Sequence, residues 1–153
     1  MPASLTRHIA SEDGSVEKPA LELLEKLGWQ RFDLQAEQPG PDNPTGRTSF
    51  RQTYLPARLR AALVKLNPNL PAETLNLAEK LLVEDRSSML PVAANRALLN
   101  LLLNGVSVEV RRDDGVFETI SVRVIDWIEP TNNDFLVASQ VWIEGLLHKR
   151  RPD

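Results

Sequence analysis

The residues best suited to chemistry are Lys149-Arg150-Arg151-Pro152-Asp153, which follow directly on an apolar strand pattern. Hydrolysing a phosphodiester needs a nucleophilic water and a stabilised pentacovalent phosphate, and one or two Mg²⁺ ions can supply both. Mg²⁺ takes carboxylate oxygens in octahedral geometry and keeps several of its waters. The chemistry therefore asks for an aspartate at a strand end, an acidic residue on the next strand, and a lysine to orient the water. Asp153 suits the first role, and Lys149, Arg150 and Arg151 suit contacts to DNA phosphates. Arg-Pro-Asp by itself is common by chance, and the bland reading of His148 to Arg151 is a solvated charged tail.

A second candidate is Glu17. At 100° per residue, Val16, Ala20, Leu21, Leu23, Leu24 and Leu27 fill one arc of a helix, and Glu17 falls inside it. A carboxylate on that side needs a partner or a metal. Alternatively, Pro19 marks the helix start and leaves Glu17 in an exposed first turn, where the helix dipole favours it. Both readings stay open at this level.

Other chemistries lack their residues. The two histidines, His8 and His148, are far apart, and with no cysteine the usual zinc ligand set is missing. No Gly-x-Ser-x-Gly, Walker or Gly-x-Gly-x-x-Gly pattern occurs, so neither a serine hydrolase nor an ATP or dinucleotide site is expected. Asn132-Asn133-Asp134 reads as a structural turn ahead of a strand.

The elements that would position these groups follow from periodicity. The 153 residues suit one domain, and 42% hydrophobic with 25% charged residues is the balance of an ordinary globular protein. A net charge of −3 means that any DNA contact must be a local patch. With no apolar run of membrane-spanning length, no secretory leader and no cysteine, the expected setting is cytoplasmic and reducing, without membrane contact. Residues 1–14 read as a mobile arm. Helices are expected over 16–27, ending at Gly28, and over 56–66, 71–84 and 91–104, the last heavily buried because its leucines cover more than one face. Trp29 to Leu34 suits a short strand, and residues 35–49, with Pro39, Gly40, Pro41, Pro44 and Gly46, a long surface loop. After Gly105 the period changes to two: a hairpin over 106–126 turns at Arg112-Asp113-Asp114-Gly115, and 135–143 suits a central strand apolar on both faces. The fold class is therefore α/β, an α+β-like arrangement of N-terminal helices followed by an incomplete mixed sheet.

Longer stretches carry a family resemblance. Ala20-Leu21-Glu22-Leu23-Leu24-Glu25-Lys26-Leu27-Gly28-Trp29, Gly46-Arg47-Thr48-Ser49, Leu59-Arg60-Ala61-Ala62-Leu63 and Leu66-Asn67-Pro68-Asn69-Leu70-Pro71 are followed in order by Asn104-Gly105-Val106, Val124-Ile125-Asp126, Asn132-Asn133-Asp134-Phe135-Leu136 and Arg151-Pro152-Asp153. The ordered series, from Val16 to Asp153, resembles the start of the restriction (R) subunit of type I restriction endonucleases. No single motif in it is diagnostic.

The resemblance implies a PD-(D/E)xK-type nuclease domain over 15–153 that cuts double-stranded DNA with Mg²⁺. Asp153 matches the family's metal-binding aspartate, and Glu17 falls where related nucleases often carry a helix-borne acid, so both are expected as catalytic metal ligands. ATP would be bound by motor domains further along, and methylation and specificity subunits would be the partners. Pro19 departs from the family pattern. The Glu-x-Lys strand is absent from this sequence, so the chain is expected to be an N-terminal segment that is silent alone. The rival expectation is a non-catalytic module that docks onto partner subunits or DNA.

Overall fold

The computed structural model describes residues 16–112, 114–145 and 147–151. The expected N-terminal arm and Asp153 lie outside the described residues. The architecture is α/β: helices with small sheets of parallel and antiparallel pairs. The chain forms two compact units, residues 1–37 with 135–153, and residues 38–134.

In the first unit, α1 (Lys18–Lys26) is followed by β1 (Gln30–Asp33). Pro19 opens the helix, where its missing N–H costs nothing, so α1 starts later than periodicity suggests. Gly28 closes it at φ +89°, a left-handed position that suits glycine. Only Leu21 of the apolar arc is buried, while Val16, Leu23 and Leu27 are exposed. β1 pairs in parallel with β4 (Leu136–Ser139), from Gln30 opposite Leu136 to Asp33 opposite Ser139. Trp29 and Phe135 flank the start of this ladder with ring centroids 5.2 Å apart.

The expected central strand over 135–143 is not continuous. It breaks after Ser139, where Gln140 takes φ 59°, and resumes as β5 (Ile143–Glu144), which pairs antiparallel with β6 (Lys149–Arg150). A left-handed residue cannot continue an extended ladder, so one apolar run becomes two short strands.

The second unit holds α2 (Pro56–Leu66), α3 (Ala72–Leu82), α4 (Pro91–Asn104) and the hairpin of β2 (Val106–Arg111) and β3 (Phe117–Val122). Leu63, Leu75, Ala78, Leu82, Val106, Val108 and Val122 form its core. The alternation of valines in the hairpin delivers that buried face, as period two requires. Asn67, just past α2, acts like a piece of strand backbone. Its amide donates to the carbonyls of Leu63 and Arg123, and its Oδ1 accepts from the Arg123 N–H, each at 2.8 Å.

Two expectations for this unit need correcting. None of the residues of α4 is buried, and Leu98, Leu99 and Leu103 are exposed; only Leu101 packs on the core from partial burial. A helix can cover one face against a single core, so leucines spread round it leave some in solvent. The 35–49 loop is packed rather than superficial over Thr45 and Arg47, which are 2% and 1% exposed. Its turns are tied by Gly40 N–H to Arg47 O at 2.9 Å, Gly46 N–H to Asn43 O at 2.8 Å and Ala57 N–H to Thr45 O at 3.1 Å.

Candidate catalytic and nucleic-acid-binding residues

Glu17 sits at the N-cap position of α1 without capping it. The side chain is half-buried and turns instead to Gln140, whose Nε2 donates to Oε1 at 2.8 Å and to Oε2 at 2.9 Å. Of the two readings of Glu17, the structure matches the one in which the carboxylate has a specific partner, although Pro19 does mark the helix start. Gln140 is the one residue other than glycine with positive φ among the described residues. Such strain is kept where the surroundings hold it, often at functional positions.

The three basic residues are split by the hairpin. Ile143 lies opposite Arg150 and Glu144 opposite Lys149. Side chains alternate across a strand, so Lys149 and Arg150 leave opposite faces. The Lys149 ammonium lies 5.0 Å from the centroid of the Trp142 ring, and the Arg151 guanidinium 5.6 Å from it. The indole is anchored by its own Nε1–H, which donates to Gln35 O at 3.2 Å. Lys149 and Arg151 thus lie against an aromatic ring, while Lys149 and Arg150 stay exposed to solvent.

Neither Gln140 nor Trp142 was expected from the sequence. A polar residue inside an apolar run was the available signal for Gln140. For Trp142 it was a tryptophan one hairpin away from a basic cluster.

Asn132-Asn133-Asp134 is structural, as expected. Asp126, 5% exposed, accepts from Asn132 Nδ2 at 3.0 Å, Arg123 Nη1 at 3.1 Å and the N–H groups of Glu129 and Ile128 at 3.1 and 3.2 Å. These donors, the Asn132 amide foremost and then the Glu129 N–H, hold the Asp126 carboxyl below the ordinary range against the opposing effect of burial. Asn133 ties both ends of the same turn to Asp126 backbone, and Asp134 pairs with Arg58 at 2.8 Å.

For a metal ion, no group of three or more acidic or histidine side chains converges among the described residues. Mg²⁺ can be held by one or two carboxylates with its remaining positions filled by water. Glu17 offers one such carboxylate, with lone pairs beyond those engaged by Gln140. Asp153, the other expected ligand, lies outside the described residues, so of the two expected ligands only Glu17 is described.

Residues 9–153 match the family described as the N terminus of the type I restriction enzyme R protein (HSDR_N). The chain belongs to that family. A protein of Methanocaldococcus jannaschii, whose name assigns it to the endonuclease subunit of the type I restriction enzyme MjaIXP, is 29% identical over 146 residues. That match covers 94% of this chain and 14% of the relative's length. No solved structure matches the chain. As an R-protein N terminus, the chain has no helix among its described residues that is long and apolar enough to cross a membrane.

Proposed function

We propose that this R-protein N terminus contributes a PD-(D/E)xK-type site to Mg²⁺-dependent cleavage of double-stranded DNA. The observation that carries the reading is the family match, which spans residues 9–153. The half-buried Glu17 carboxylate, set by Gln140 rather than spent on the helix end, supports it. Bound Mg²⁺ would supply a nucleophilic water and neutralise charge on the phosphate. Glu17 and Asp153 are the residues that would hold it, and the basic hairpin binds the DNA backbone. In this reading ATP belongs to other parts of the enzyme, and methylation and specificity subunits complete the complex.

The test is Asp153→Ala in the assembled enzyme. Cleavage should fall by at least a hundredfold while DNA binding persists. Cleavage at the native rate would overturn the proposal.

A second reading, a non-catalytic docking module, is favoured by one feature, the exposed leucines of α4. It predicts that Asp153→Ala leaves cleavage intact, while Leu99→Asp and Leu103→Asp weaken assembly with partner subunits.

A further inference from the structure

Gln140 directly follows β4, where the chain leaves extended geometry at φ 59°. Its amide nitrogen lies 2.8 Å from one Glu17 oxygen and 2.9 Å from the other. A donor almost equidistant from both oxygens sits near the axis that bisects the carboxylate. There it fixes the plane of the group, which the broad last torsion of a glutamate otherwise leaves loose. A carboxylate has about four lone-pair sites, so a single nitrogen between the oxygens leaves the outer ones to another ligand. The donor is also neutral. An arginine or lysine in its place would cancel the charge that draws a cation, whereas an amide orients the carboxylate and leaves that charge in place. Both side chains are half-buried, so water competes less for the bond than at an exposed position. A bisecting, neutral and sheltered donor is what a metal-binding carboxylate needs behind it.

We propose that Gln140 is a positioning residue: it holds the Glu17 carboxylate in the orientation that receives a divalent cation, without touching the cation itself. The proposal rests on the nuclease reading for the cation, but not for the geometry of the pair. The competing role is a staple between α1 and the end of β4 that serves stability alone, and the experiment separates the two.

Mn²⁺ is titrated into the assembled enzyme without ATP, and the free ion is followed by electron paramagnetic resonance, so no turnover enters the readout. The sites of interest are those that Glu17→Gln removes. Circular dichroism and urea midpoints report the folding of each variant. Hydrogen-bond partners of metal ligands set affinity by roughly ten- to a hundredfold. Gln140→Leu, which keeps bulk but loses the amide, should weaken Mn²⁺ binding at those sites by about tenfold. Gln140→Gly relaxes the backbone as well, so it should differ from Gln140→Leu in urea midpoint and match it in metal affinity. About tenfold more Mg²⁺ should restore cleavage in Gln140→Leu, a rescue that a folding defect does not allow.

The positioning role is overturned by any of four results: native Mn²⁺ affinity in Gln140→Leu, affinities that follow the urea midpoints rather than the amide, no Mn²⁺ site lost in Glu17→Gln, or cleavage by Gln140→Leu that extra Mg²⁺ does not raise. The two proposals fail separately. Native Mn²⁺ affinity in Gln140→Leu, with cleavage lost in Asp153→Ala, would sink the positioning role alone. Native cleavage in Asp153→Ala, with Mn²⁺ binding weakened in Gln140→Leu, would sink the nuclease reading alone.

Discussion

Gln140 grips Glu17 through one amide nitrogen that reaches both carboxylate oxygens, at 2.8 and 2.9 Å. The two residues come from opposite ends of the sequence, one from the start of α1 and one from the end of β4. Gln140 also holds a backbone conformation unfavourable for a side chain, at φ 59°. The pairing fixes a half-buried carboxylate beside the end of a parallel strand pair.

That strain and that bond can be separated. Gln140→Ala should lose the bond and keep the strain, while Gln140→Gly loses the bond and relaxes the backbone. Gln140→Gly should therefore be more stable than Gln140→Ala by about 1 kcal/mol in urea unfolding. Equal stabilities would show that the left-handed conformation is not imposed on residue 140 in solution.

Asn67 bridges the end of α2 to the residue following β3 with three hydrogen bonds from one side chain. Asn67→Ala leaves two carbonyls and one N–H without that partner, a loss of about 2–4 kcal/mol by urea unfolding. Asn67→Asp keeps an acceptor for Arg123 N–H but cannot donate to Leu63 or Arg123 carbonyls. It should recover little of the loss at neutral pH.

Asp126 makes the second unit sensitive to acid. Its folded carboxyl titrates below the ordinary value, so its contribution is fully present above about pH 3.9 and is lost as the pH falls through the folded value. Asp126→Asn should flatten the pH dependence of stability in that acid window, measured by urea midpoints from neutral pH downward. Asp85, lowered by its hydrogen bonds from Ser87, contributes in the same direction, so some dependence should survive. An unchanged profile would contradict the role given to Asp126.

Two glycines share a positive φ but differ in surroundings. A Cβ on Gly28, at φ +89°, meets nothing within 4 Å, whereas one on Gly105, at φ +80°, falls 2.7 Å from the Val122 carbonyl oxygen. Gly28→Ala should cost about 1 kcal/mol from conformation alone. Gly105→Ala adds a clash with rigid sheet backbone and should cost at least about 2 kcal/mol more, read as a lower urea midpoint.

Helix positions were the most legible part of the chain. Pro56 to Leu66 and Pro91 to Asn104 appear with the boundaries that Pro starts and Asn or Gly stops dictate. The valine alternation likewise marked the β2–β3 hairpin, although its return strand ends at Val122 rather than running on to Asp126. Burial was less legible, because the leucines of α4 and the apolar arc of α1 specify a face without specifying what covers it. The candidate site was partly legible, with Asp153 outside the described residues. Glu17 and the basic run stand out by residue type, but Gln140 and Trp142 matter through tertiary contacts with Glu17 and Gln35, which no local pattern encodes.

The parallel pairing of β1 with β4 has a kinetic consequence. Gln30 must find Leu136 across about two-thirds of the chain, so closing that ladder carries the entropy of a very long loop. The hairpin and helices of residues 38–134 close over much shorter separations. The Glu17–Gln140 grip depends on the same long closure, so it should be among the last contacts to form.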